Sequence, residues 1–392
     1  MSDTTATDFA ATLDILEKLV SFDTTSRNSN IPCADWIIAY LAQYGVATEV
    51  FVNAEGDKHN LYAIIGPRDM PGYVLSAHTD VVPVDGQSWT TDPFKLAIKD
   101  GKAYGRGACD MKGFLACTLA MVPAMVRANL ATPIHLAYSY DEEVGCIGVR
   151  DMLEKIALRE PRPIAAFIGE PSSMQVITGH KGGQRVTCSV TGKAAHSSLA
   201  PHGVNAVEYG ARLVARIKDM AEAQEVTGKR DVLYDVPHST LHVGLFSGGT
   251  SPNIVPHHAE ISFECRNISA DDPMDYIREI MRYAHEELTP RMRKNDPQAG
   301  FSFSLRPNLP ALETAVDHHA VTLAKRLAGR NDHAKVAYGT EASLFQAIAG
   351  IPSVVVGPGD INQAHKPDEW IRLSELEKCN AFIERLIGAC KA

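Results

Sequence analysis

Short apolar runs alternating with helical stretches restrict this chain more than any other feature of its sequence. Val46–Val52, Leu61–Ile65, Tyr73–Val82, Pro133–Tyr140 and Pro163–Ile168 read as strands. Among them, residues 9–20 place Phe9, Leu13, Leu16 and Val20 on one helical stripe. A second helix starts near Pro32 and ends at Gly45, and Met111–Arg127 and Ile147–Leu158 are also helical. This order predicts an α/β layer with a mostly parallel sheet. From Gly179 the pattern changes. Strand Arg185–Thr191, helix Val204–Met220, strands Thr240–Phe246 and Ala259–Arg266, helix Pro273–Leu288 and strand Phe301–Leu305 follow one another. That is β-α-β-β-α-β, the ferredoxin-like unit. The α/β character then resumes with helix Thr314–Leu327, strand Lys335–Tyr338, helix Ala342–Ala349, strand Ser353–Val356 and helix Ser374–Cys390. The expectation is a catalytic domain in two parts, residues 1–180 and 309–392, with a domain of residues 181–308 inserted between them.

A chain of 392 residues suits two or three domains rather than one core. The net charge of −9 is spread along the sequence, and no basic run is present to track phosphates, so nucleic acid is not an expected partner. No apolar stretch approaches the ~18 residues of a membrane span. The first residues lack the basic-then-apolar order of a secretory signal. The eight cysteines form no C-x-x-C pair and sit among apolar neighbours. Buried, reduced thiols in a cytoplasmic protein are the expectation. Any metal would then be held by His and carboxylate.

Chemistry-bearing residues gather where strands end. Tyr73 to Val84 reads Y-V-L-S-A-H-T-D-V-V-P-V, and His78 and Asp80, two residues apart, can share a face. Asp110 lies in the glycine-flanked turn G-R-G-A-C-D-M-K-G before a helix. Asp141, Glu142 and Glu143 follow the strand ending at Tyr140, and Glu170 follows Ile168 in G-E-P-S. His365 stands in A-H-K-P-D-E-W after the strand ending at Val356. Ligands of open α/β sheets collect at the carboxyl ends of the strands. Two imidazoles with several carboxylates suit zinc, and a bridging carboxylate suits a pair of zincs ~3.5–4 Å apart. Taken singly, each acid also fits a helix cap or a surface charge. The five segments together favour the metal site.

The set H-T-D, G-R-G-x-x-D-M-K-G, E-E, G-E-P, G-x-x-A-H-S and H-K-P-D-E resembles the co-catalytic zinc aminoacylase/carboxypeptidase family over about residues 10–390. Ala108 and Ser343 stand where the family pattern has a Thr and a Gly, and neither departure puts an expected ligand in doubt. The resemblance implies that Asp110 bridges two Zn2+ ions, with Co2+ able to substitute. His78 and Glu170 would complete one site, Glu143 and His365 the other. Asp80 would be the partner of the His78 imidazole, Glu142 the general base, and Asp110–Met111 a cis peptide. It also implies a homodimer formed through the inserted domain. His196, in G-K-A-A-H-S-S, would then donate to the oxyanion in the partner subunit.

The resemblance further implies a small N-acyl amino acid as substrate, N2-acetyl-L-ornithine first, with an N-succinyl diamino acid or a dipeptide as the alternative. Asn253 in S-P-N-I-V-P and Arg266 at the end of F-E-C-R are candidate substrate contacts on the inserted domain. An arginine there can clamp a carboxylate with two parallel hydrogen bonds. Glu341, in Y-G-T-E-A-S, is the candidate acid for a substrate ammonium. A non-catalytic binding protein on the same fold would have lost a ligand or the base, yet Glu142, Asp110 and His365 are all present.

Overall fold

Four central strands are apolar almost from end to end, and every residue of Ile134–Ser139, Tyr73–His78, Ala165–Ile168 and Ser353–Val355 is buried. A strand buried on both faces belongs inside a parallel sheet covered by helices. In the computed structural model, which describes residues 9–392, these four lie side by side in that order and run parallel. Antiparallel strands flank them: His59–Ile65 and Thr48–Val52 on one side, Ile177–His180 on the other. The expected α/β fold with a mostly parallel central sheet is borne out. Parallel neighbours all end on one edge, so the segments after His78, Ser139, Ile168 and Val355 emerge together.

Helices cover this sheet. Phe9–Val20 buries Ile15, Leu16, Leu19 and Val20, and Leu373–Cys390 buries Leu376, Phe382, Ile383 and Leu386. Every residue of Lys112–Ala120 is buried. The expected single helix Met111–Arg127 breaks at Met121 and restarts at Val122, because Pro123 has no N–H to continue the first segment. The helix expected over Thr314–Leu327 begins only at His319, where the His318 imidazole caps it by accepting from Ala320 N at 3.1 Å. A separate three-stranded sheet, Trp370–Arg372, Lys102–Tyr104 and Ala97–Lys99, was not legible, since strands of three residues carry no readable periodicity.

The described chain divides into two units. The first takes in residues up to Gly179, Leu312–Lys335 and Thr340–Ala392; the second takes in His180–Ala311 and Val336–Gly339. The second unit has its own antiparallel sheet in the order Thr240–Gly248, His258–Arg266, Gln184–Thr191, Gly300–Leu305. Leu213, Ile217, Ile277 and Ile280 from its two long helices pack with Val186, Cys188, Ile261 and Phe263 of the strands. Among the described residues no helix is long and apolar enough to cross a membrane. All eight cysteines are free and buried.

Candidate metal centre

His78 closes a strand and is fully buried. Its Nδ1 donates to the backbone carbonyl of Asp80 at 2.9 Å, with the Asp80 carboxylate 3.5 Å away. That fixes the tautomer and leaves Nε2 with its lone pair outward. Nε2 lies 3.1 Å from Asp110 Oδ1 and 3.6 Å from Glu170 Oε1. On the other side of Asp110, His365 Nε2 lies 3.1 Å from Oδ2 and 3.0 Å from Glu143 Oε2. His365 reaches this position on a left-handed residue, φ 61°. The carboxylate of Asp110 thus faces two ligand groups with its two oxygens: His78, Asp110 and Glu170, and Asp110, Glu143 and His365. Within each group, one candidate ligand atom per residue lies within 4.8 Å of the others. The peptide Asp110–Met111 is cis.

Asp80 does more than face the imidazole. Its carboxylate accepts from Ser26 Oγ at 2.7 Å, Glu142 N at 3.1 Å and Glu143 N at 3.3 Å. One side chain therefore ties the end of the His78 strand to the turn that carries both glutamates. That turn is tight: Asp141, Gly145 and Cys146 all have positive φ, and Lys58 holds Asp141 in a largely buried ion pair. Glu142 belongs to neither ligand group. Its Oε1 accepts from the Cys146 thiol at 3.1 Å.

The acids repel one another. Burial, then the charges of Glu143 and Asp110, push Glu142 up to about 8. Burial and Asp110 push Glu143 up to about 7, and burial with Asp110 and Glu142 lifts Glu170 well above the carboxylate range. Glu170 Oε1 is buried without a hydrogen-bond donor. Buried like charges and an orphaned carboxylate oxygen are costly in an empty protein. Divalent cations reverse that cost. The donor set, imidazole and carboxylate with no thiolate, fits zinc.

This repulsion has a consequence for stability. Hydrogen bonds that His365 donates to the Asp110 and Glu143 carboxylates hold it up at about 10, above its usual 6.5. For Glu142, Glu143 and His365 the folded pKa lies above the unfolded one, so folding favours the protonated form. Each contribution is complete below the unfolded value, 4.5 for the glutamates and 6.5 for His365. It is lost as the pH rises through the folded value. Metal-stripped protein is therefore expected to melt at lower temperature as the pH goes from about 5 to about 9, and added zinc should restore a margin that widens with pH. Calorimetry with and without zinc checks this; a stripped protein that gains stability over that range would contradict it.

The remaining candidates fall elsewhere. Glu341 needs correction as a contact for a substrate ammonium. It is fully buried, and its two oxygens accept from Ser76 Oγ at 2.6 Å and Ser139 Oγ at 2.7 Å, beneath the ends of two parallel strands. On the second unit, His196 is exposed, and its Nδ1 accepts from Ser198 N at 3.3 Å. The Asn253 carbonyl accepts from Ser197 N at 2.9 Å, so His196 and Asn253 share one loop pair. Arg266 closes the strand His258–Arg266 and pairs with Glu264 at 3.0 Å. Sequence reasoning missed Arg106 and Glu369, a fully buried ion pair at 2.8 Å. The available signal was two opposite charges inside motifs already singled out.

Comparison with known proteins agrees with this geometry. Residues 74–389 match the model of peptidase family M20/M25/M40. An acetylornithine deacetylase of Pasteurella multocida is 32% identical over 370 residues, 94% of this chain and 93% of that protein. Among solved structures, an M20 family metallo-carboxypeptidase from Sulfolobus solfataricus superposes with a TM-score of 0.76 at 21% identity, covering 96% of this chain and 98% of that one. A dinuclear metal-binding M20 peptidase of Bacillus subtilis does so with a TM-score of 0.67 at 18% identity, over 97% and 98% of the two chains. The family resemblance carried by the sequence motifs is thereby borne out. With a family match over most of its length and ligand groups of the kind described, the chain belongs to peptidase family M20/M25/M40 and is a metal-dependent amide hydrolase.

Proposed function

We propose that this chain is a two-zinc deacylase of small N-acyl amino acids, acting on N2-acetyl-L-ornithine to release acetate and L-ornithine. One observation carries the reading: Asp110 turns one oxygen to His78 and Glu170 and the other to Glu143 and His365, with Glu142 beside them and outside both groups. The acetylornithine deacetylase relatives support the choice of acyl group and amino acid. Zinc bound at these groups supplies an acidified water and an electrophile for the scissile carbonyl. Glu142 is the base that takes the proton from the attacking water and returns it to the departing amine. Asp80 holds the Glu142 turn in place. Cobalt is the expected substitute metal.

We assign dimerisation to the second unit. Thr240–Gly248 is an edge strand whose outer side has no partner strand among the described residues, and Leu245 and Phe246 on it are exposed. In the dimer, His196 donates to the oxyanion of the partner's centre, and Asn253 and Arg266 contact the substrate. Sedimentation should give a dimer; a monomer at every concentration would remove the role given to His196. The buried, unpaired cysteines support a reducing, cytoplasmic location.

The deciding experiment is a turnover panel with added zinc: N-acetylornithine, N-acetylmethionine, N-succinyl-diaminopimelate and a dipeptide. N-Acetylornithine should give the highest kcat/KM. Preference for the succinyl substrate or the dipeptide would replace this reading with the desuccinylase or dipeptidase alternative.

A further inference from the structure

The geometry points to Glu369 as the residue that sets the spacing of Asp110 and His365, a role resting on the two-metal reading above. The Glu369 side chain is 1% exposed. Its Oε1 accepts from the backbone N–H of Cys109 at 2.9 Å and of Asp110 at 3.0 Å. Its Oε2 accepts from Gly107 N at 3.0 Å and Arg106 Nη1 at 2.8 Å. Its own carbonyl accepts from Gly105 N at 3.0 Å. One carboxylate thus receives three peptide groups and a guanidinium of the turn that presents Asp110. It stands only four residues beyond His365.

A second connection closes the circuit. Arg106 Nη2 donates to Gln87 Oε1 at 2.5 Å, and Gln87 Nε2 donates to the His365 carbonyl at 3.2 Å. Below it, Trp370 pairs with Tyr104 and Ile371 with Ala103 in the small antiparallel sheet. The segment carrying His365 and the turn carrying Asp110 are therefore joined on both sides of Glu369. Two of the three ligands in the group Asp110, Glu143 and His365 belong to these segments. His365 itself is half-exposed and has a left-handed backbone, and a further hydrogen bond, from Thr90 N to Asp368 Oδ1 at 2.8 Å, also ties its segment. A carboxylate is suited to the task because it only accepts, and all four partners only donate. Glutamine keeps the shape but turns one acceptor into a donor facing buried N–H groups.

The test uses the full chain, stripped of metal and titrated with Zn2+ by calorimetry and with Co2+ by visible absorbance. The parent should bind two equivalents. Glu369→Gln should weaken one of them by about 10–100-fold, the usual cost of losing a hydrogen-bonded support of a metal ligand. The other equivalent should change less, because His78 and Glu170 are held independently. The cobalt spectrum of the weakened site should change in shape. A purely structural role would lower the melting temperature and leave both steps and both spectra as in the parent, and that result would overturn the inference. If Glu369→Gln does not fold, Gln87→Ala cuts the second connection at a partly exposed position and leaves the Glu369 contacts intact. It should weaken the same equivalent severalfold; an unchanged isotherm would equally overturn the inference. A parent that binds two zincs but fails to cleave N-acetylornithine would refute the proposed reaction and leave this assignment standing.

Discussion

Replacing Glu142 by Gln is expected to lower kcat by about 10²–10⁴-fold, the range that a positioned general base supplies, while zinc content stays at two per chain. The reasoning is geometric. Glu142 belongs to neither ligand group, so the substitution removes no metal donor. The amide keeps an oxygen for the Cys146 thiol, now 3.1 Å from Glu142 Oε1, and the backbone N–H that Asp80 holds is unaffected. What is lost is a group able to accept and return a proton. The neutral side chain also relieves the repulsion that pushes Glu142 up to about 8. The stripped variant should accordingly be no less stable than the parent above neutral pH. Steady-state kinetics beside metal analysis decides the matter. Turnover within a few-fold of the parent, at full metal content, would exclude Glu142 as the base.

Asp110→Asn is expected to have the broadest effect, weakening both steps of the zinc isotherm and abolishing turnover. The Asp110 oxygens are divided, Oδ1 toward His78 at 3.1 Å and Oδ2 toward His365 at 3.1 Å. Contacts with these two imidazoles hold its carboxyl below the usual range against the opposing effect of burial. The amide carries no charge and offers only one acceptor oxygen. Each equivalent should lose more than the roughly 10–100-fold that removing an outer hydrogen-bond partner costs. The turn itself should persist, because Glu369 holds it through backbone N–H groups. Loss of a single equivalent, with the other at parental affinity, would show that Asp110 does not serve both groups.

The parallel centre of the sheet was legible because each strand is a short, mostly apolar run, and the metal-ligand candidates because His78, Glu143 and Glu170 stand at or just past the ends of such runs and Asp110 and His365 stand in polar, glycine- or proline-bearing motifs. Asp110 and His365 lie 255 positions apart in the numbering, and their segments meet through Glu369 and the small antiparallel sheet. Other features left no such trace. Glu341 reads as an acid for a substrate ammonium, and nothing in Y-G-T-E-A-S announces that its carboxylate accepts from Ser76 and Ser139. Strands of three residues gave no pattern, so the sheet linking Trp370 to Tyr104 was missed, and with it the link from Glu369 to the Asp110 turn. The break at Met121 was readable in principle from Pro123, but the Ala- and Leu-rich composition on either side outweighed it.

The most direct measurement is anomalous diffraction at the zinc edge from crystals grown with zinc. The account predicts two peaks on either side of the Asp110 carboxylate, about 3.5–4 Å apart, one reached by His78 and the other by His365. A single peak, or metal bound away from Asp110, would contradict it.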